Sequence, residues 1–146
     1  MYKLIPMDTS DWALGHCKDD PVRPHLPLAW RATNGRRVYG LEHTDGTIGA
    51  VVCVARCNHV PISEDELELS SSENGTVAVF YTVWSYARGA GRQMVLECAA
   101  HLQATTSCER FVTLSPLTDM AERFHLNNGA QFITRGDTCQ NFEYTL

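Results

Sequence analysis

The residues that stand out chemically are Arg88-Gly89-Ala90-Gly91-Arg92, set between a continuous β-prone run, Thr76 to Trp84, and a segment where Met94, Cys98 and Leu102 recur every four residues. Glycines at a strand-to-helix junction permit unusual φ angles and close approach, and the N–H groups at a helix start carry partial positive charge. That arrangement favours a phosphate, with Arg88 and Arg92 placed to pair with its remaining oxygens. A plain tight turn against the sheet would use the same glycines. The segment lacks the Lys-Ser/Thr ending of a P-loop, and the antiparallel meander expected before it does not suit a dinucleotide site.

Proton carriers are fewer. No carboxylate lies within the Thr76 to Trp84 run, which leaves Tyr81, His59, Glu73 or a water to take a proton there. His125, with an ordinary pKa of about 6.5, can donate a proton if a neighbour keeps it partly charged, and it also suits a packed, hydrogen-bonded place on a helix. Cys53, Cys57 and His59 match no zinc spacing and no second ligand pair follows, so no metal is expected. Glu64, Asp65, Glu66 and Glu68 read as a solvated acidic excursion whose other use would be to attract a cationic amine.

The elements that would hold these residues follow from pattern. Tyr2 to Ile5 alternates and ends at Pro6, as a first strand does, and Thr9-Ser10-Asp11 are capping residues ahead of a helix starting at Trp12. Pro21, Pro24 and Pro27 make the stretch from Asp19 to Pro27 an extended connector, followed by a short helical piece at Leu28 to Arg31. Arg37 to Leu41 and Thr47 to Arg56 form a hairpin about Thr44-Asp45-Gly46. His59 to Gly75 reads as a loop with one helical turn. Thr76 to Trp84 suits a central strand covered on both faces, and an amphipathic helix follows the glycines. Arg110 to Leu114 is a further strand, a helix carrying Met120, Phe124 and His125 ends at Asn127-Asn128-Gly129, and extended runs at Gln131 to Thr134 and Asn141 to Leu146 close the chain around a turn at Arg135-Gly136-Asp137.

The chain has 146 residues, of which 44% are hydrophobic and 20% charged. It is long enough to bury a core as one domain without staples. A net charge of -5 gives no general attraction to nucleic acid or anionic lipid. No signal-peptide core or membrane-length apolar run is present, and six cysteines are too sparse for a disulfide scaffold, so a cytoplasmic protein with free thiols is expected.

Tyr86-Ala87-Arg88-Gly89-Ala90-Gly91 resembles the signature of the GNAT superfamily of acyl-CoA-dependent N-acyltransferases, in which Arg or Gln is followed by two residues, Gly, one residue, then Gly or Ala. Thr118, Ala121, Phe124-His125 and Gly129-Ala130 stand at the spacings of the family's downstream Asn, Ala, Phe-Tyr and Gly-Phe, and Leu4-Ile5-Pro6 with Ser10-Asp11-Trp12 resembles its first strand and helix. The sequence differs from the family pattern at Tyr86, Thr118, His125 and Ala130.

The resemblance implies one GNAT-like domain over residues 1–146. Its fold would be α/β (α+β), with a mixed, mostly antiparallel sheet flanked by helices and a V-shaped splay between the fourth and fifth strands. Acetyl-CoA would be the cosubstrate, held by Val83, Trp84, Arg88, Gly89, Ala90, Gly91, Arg92, Thr118 and Phe124, with the pantetheine in the splay and the acyl thioester facing Phe80 to Val83. A backbone amide there would stabilise the oxyanion. An acetyl group would pass to a primary amine, with His125 and Tyr81 as the catalytic candidates. The alternatives are a degenerate member that binds CoA or a protein partner without turnover, and an acyltransferase acting on a nucleic-acid base; a homodimer is left open.

Overall fold

A computed structural model describes residues 1–7 and 12–146. In chain order it holds β1 (Tyr2–Met7), a 3-10 helix (Trp12–Asp19), α1 (Leu28–Arg31), β2 (Arg36–His43), β3 (Ile48–Cys57), α2 (Glu64–Ser70) and β4 (Val77–Ser85). There follow α3 (Ala90–Thr105), β5 (Arg110–Thr113), β6 (Ser115–Pro116), α4 (Asp119–Asn127), β7 (Gln131–Arg135) and β8 (Cys139–Tyr144). The strands form one sheet in the order β1-β2-β3-β4-β5-β8-β6, with β7 paired to β8.

Every named strand pair is antiparallel except β4 with β5, which runs parallel from Val77↔Arg110 to Phe80↔Thr113. The parallel pair is where a crossover helix is needed, and α3 supplies it. Met94, Val95, Cys98, Ala99 and Leu102 of α3 are buried against Tyr39, Val52, Val54 and Phe80. Burying a side chain such as Met94 or Leu102 contributes roughly 1.5–3 kcal/mol. On the other face Val38, Val51, Cys53, Val79 and Tyr81 pack with Leu67 and Trp30, so β3 and β4 are covered on both sides, as their continuous apolar runs require.

The hairpin turns at Gly46, where φ is 91°, as the Asp-Gly pair predicts. Three expectations are corrected. Glu64–Ser70 is a full α-helix because Ser63 caps it, accepting from the Glu66 amide at 3.2 Å, and Glu64, Asp65 and Glu66 complement the positive end of its dipole. The last strand starts at Cys139 and ends at Tyr144, two residues earlier than the pattern suggests at either end. The first helix is 3-10 in character, and its proposed capping residues Thr9, Ser10 and Asp11 lie outside the described residues.

Candidate functional site

The pairing of β4 with β5 stops early. Beyond Phe80↔Thr113 one more contact follows, the Leu114 amide donating to the Phe80 carbonyl at 3.1 Å, after which β6 pairs with β8 and leaves β4. Residues 82–85 therefore continue with β3 on one edge and an open edge on the other. This is the splay expected between the fourth and fifth strands.

A bulge decides which amides face it. Cys53 pairs with Thr82 but Val54 pairs with Phe80, so Tyr81 is the extra residue. The Tyr86 amide donates to Gly49 of the β3 side at 2.8 Å, and amide direction alternates along a strand. The Ser85 and Val83 amides consequently point into the open edge. A donor fixed in this way is what a developing oxyanion requires.

The glycine loop lies at the end of that edge. Gly89 is the N-cap of α3 with φ 81°, and a Cβ placed on it would meet nothing within 4 Å. The left-handed backbone selects glycine, and the space beside it suits a bulky anion such as a pyrophosphate. Gly91 packs closely: a Cβ there would come within 3.3 Å of the Phe124 ring, which would have to give by a few tenths of an ångström, and 3.6 Å of Ser85. Ala90 is buried, and Arg88 is exposed beside the open space. Arg92 instead donates to the Asn127 carbonyl at 3.2 Å, where a cation offsets the negative end of α4.

The remaining expected site residues have structural partners. Thr118 caps α4, accepting from the Ala121 amide at 3.2 Å. Phe124 covers Gly91 and the His125 ring. Trp84 is buried and donates from Nε1 to the Tyr86 hydroxyl at 3.0 Å, and Tyr86 donates to Asp19 Oδ2 at 2.6 Å.

His125 is buried, stacked on Phe142, with Nδ1 at 2.7 Å from the Tyr144 hydroxyl. Burial lowers its pKa to about 4, so the imidazole is neutral near pH 7 and is not the partly charged acid the sequence suggested. The Tyr81 phenol is almost fully enclosed on the opposite face, near Trp30, and burial pushes its pKa well up. Among the other base candidates, Glu73 is engaged by the Gly35 amide and Arg37, and His59 is exposed with Nδ1 at 3.3 Å from the Val60 carbonyl. Cys53 and Cys57 are core residues.

The proline-rich connector contributes polar groups that sequence reading missed. Asp20 Oδ1 accepts from the amides of Val22 and Arg23 and from Thr82 Oγ1, at 2.8, 2.9 and 2.9 Å, and its Oδ2 accepts from Arg31 Nη1 at 2.8 Å. Burial alone would raise the Asp20 pKa, but the Arg23 amide and the Arg31 guanidinium hold it below the usual carboxylate range. Arg23 donates to the Tyr81 carbonyl. The connector is thus a strap tied to β4 at its bulge. No spacing rule joins Asp20 to Arg31 or Thr82, so only the fold brings them together. At the step from β5 to β6, the Thr113 and Ser115 hydroxyls share a buried hydrogen bond of 2.8 Å, and Thr113 Oγ1 also accepts from the Phe142 amide of β8 at 3.0 Å.

Two surface cavities lie elsewhere. One of about 210 Å³ is bordered by Arg37, Tyr39, Arg56 and Leu102, and another of about 280 Å³ by Gly15, Lys18, Pro24 and Leu28. The splay is open along the edge of β4, where the Val83 and Ser85 amides face it.

The sequence matches no protein-family model and no curated protein. Solved structures do match. Malonyl-CoA decarboxylase from Agrobacterium vitis superposes with a TM-score of 0.80 at 17% identity over 99% of this chain, which spans 60% of that protein's chain. The GNAT-like decarboxylase GphF, solved with isobutyryl-CoA, gives 0.76 at 13% identity over 98% of both chains. The GNAT domain of S. lividans PAT gives 0.67 at 15% identity over 99% of this chain and 90% of that one. The chain has the GNAT fold.

Proposed function

We propose that residues 1–146 form one domain that binds an acyl-CoA, with the pyrophosphate at Arg88-Gly89-Ala90-Gly91, and activates its thioester along the open edge of β4. The observation that carries this reading is the pair of edge amides at Val83 and Ser85 leading to a left-handed, unobstructed Gly89. The first use of such a site is acetyl transfer from acetyl-CoA to a primary amine. The neutral amine attacks the carbonyl carbon, the C–S bond breaks, and the proton lost by the amine ends on the thiolate. Proximity supplies much of the acceleration and the edge amides the oxyanion stabilisation.

A second reading is supported by the decarboxylases among the structures that share this fold, with TM-scores from 0.59 to 0.80, a range that includes the 0.67 of the PAT domain. In a β-carboxyacyl-CoA the bond to the carboxylate breaks, its electron pair enters the thioester as an enolate, CO2 leaves and a proton is added to carbon. This chemistry needs an oxyanion donor and a proton but no base. It therefore fits a site whose expected base, Tyr81, is enclosed.

The test is incubation with acetyl-CoA plus a panel of primary amines, and separately with malonyl-CoA, followed by mass spectrometry of the products. Acetylated amine with free CoA supports the first reading, and acetyl-CoA formed from malonyl-CoA supports the second. Failure of every thioester to bind would overturn both.

A further inference from the structure

Arg23 is a buried cation with one edge of its guanidinium poorly satisfied. Its side chain is 4% exposed. Nη1 donates to the Tyr81 carbonyl and Nε to Glu64 Oε2 at 3.2 Å, whereas among the described residues Nη2 meets only Cys139 Sγ at 3.8 Å. A guanidinium offers five N–H donors in a planar fork, stays protonated and matches a carboxylate bidentately, while a thiol sulfur is a weak acceptor. Buried charged donors are ordinarily met by oxygen. Nη2 therefore presents a donor edge awaiting one.

Its position gives that edge a purpose. Tyr81 is the bulge residue immediately past the last β4–β5 pair, and Cys139 lies on β8, with the end of β5 between them in the sheet. Arg23 spans the apex of the splay, where the open edge of β4 begins and its amides turn outward. Glu64 does not take up the whole charge, since it is 39% exposed and is shared with His25 Nε2 at 2.6 Å.

We propose that Arg23 selects the acyl group: the site takes a CoA thioester of a short dicarboxylic acid, and the free carboxylate of the acyl chain is received on the Nη2 edge. This rests on the reading that an acyl-CoA occupies the splay. An acetyl group has no oxygen beyond the thioester carbonyl and leaves that edge unchanged. A terminal carboxylate replaces the sulfur contact with charge-assisted hydrogen bonds in a site poor in water.

The test is calorimetric titration of the whole chain with CoA, acetyl-CoA and malonyl-CoA, in the wild type and in Arg23→Gln and Arg23→Lys, with thermal melting as a check on folding. The wild type is expected to bind malonyl-CoA at least about tenfold more tightly than acetyl-CoA, the step a single charge-assisted contact gives. Arg23→Gln should erase that preference and Arg23→Lys restore part of it. Equal affinity for acetyl-CoA and malonyl-CoA in the wild type overturns the proposal and leaves the acyl-CoA reading standing, an arm that needs no variant to fold. A preference surviving in Arg23→Gln overturns the assignment to Arg23. Absence of binding by all three compounds overturns the acyl-CoA reading and the proposal with it.

Discussion

Tyr86 donates its phenolic proton to Asp19 at 2.6 Å while accepting from Trp84 Nε1 at 3.0 Å. The residue that departs from the GNAT pattern at the first position of the loop therefore ties the end of β4 to the 3-10 helix. Its aromatic ring also lies 5.3 Å from that of His16. Burial and the Asp19 carboxylate push the phenol up to about 12, so it remains a donor at ordinary pH.

Replacing Tyr86 with Phe removes both hydrogen bonds and keeps the ring. With Tyr86 46% exposed, the expected loss is about 0.5–1 kcal/mol of stability, near the lower end for hydrogen bonds. Acyl-CoA affinity should fall by less than about threefold, since backbone amides make the phosphate contacts in this reading. Urea unfolding and calorimetry measure the two effects. A collapse of binding with stability intact would assign the phenol a direct role at the ligand.

At Gly89 two substitutions separate backbone from charge. Gly89→Ala and Gly89→Glu both force an L-residue to φ 81°, at a cost of roughly 1–2 kcal/mol each. Only Glu adds negative charge where a pyrophosphate is proposed. Acetyl-CoA affinity should therefore fall much further in Gly89→Glu than in Gly89→Ala, by about tenfold or more, and part of the gap should close at 1 M salt, where the screening length is about 3 Å. Equal losses in the two variants would remove the phosphate from this loop.

Pattern makes the strands and the glycine loop legible because each depends on local sequence: the long apolar run at Thr76 to Trp84, the Asp-Gly turn, and glycines between strand and helix. The mixed sheet and its splay follow only from the GNAT resemblance, since strand pairing is not local. The α2 helix was harder to see because its stability comes from the Ser63 cap and buried Leu67, inside a segment whose charge suggests solvent. The connector was the largest omission. Three prolines correctly indicate extended backbone, but composition does not say that Asp20, Arg23 and Arg31 turn inward; their pairing spans strands brought together only by folding. His125 was legible as a position and not as a charge state, which depends on Phe142 and Tyr144 from the far end of the chain.

The charge state of His125 makes a pH prediction. Its folded pKa of about 4 lies below the unfolded value of about 6.5, so between these values the unfolded chain binds a proton that the folded chain does not. Stability contributed by the neutral imidazole is full above about pH 6.5 and falls as pH drops toward 4, by an amount on the order of 3 kcal/mol. His125→Gln should flatten that part of the profile in urea titrations at stepped pH. The pH–rate profile of any turnover should show no inflection near 6.5 arising from His125. A His125 imidazole, assigned by its loss in His125→Gln, titrating near 6.5 by NMR in the folded protein would contradict both expectations.

Asp20 and Arg31, both fully buried at the side chain and 2.8 Å apart, make the sharpest stability prediction. Asp20→Ala leaves the Arg31 guanidinium buried without its counter-charge and should cost about 3–5 kcal/mol. The double variant Asp20→Ala, Arg31→Met removes both charges and should recover much of that loss, because a buried pair is often replaceable by apolar packing when both members go. The pH dependence has the opposite origin to that of His125. The Asp20 pKa is lowered in the fold, so its stabilisation is present above the ordinary carboxylate value of about 3.9 and disappears as pH falls through the folded value. Because Thr82 also donates to Asp20 at 2.9 Å, the single variant should disturb the β4 bulge and with it the direction of the Val83 amide. Acyl-CoA binding in the double variant, measured where the protein is fully folded, then tests whether the strap merely stabilises the sheet or also aims the open edge: full recovery of stability with affinity still reduced would mean that it aims the edge.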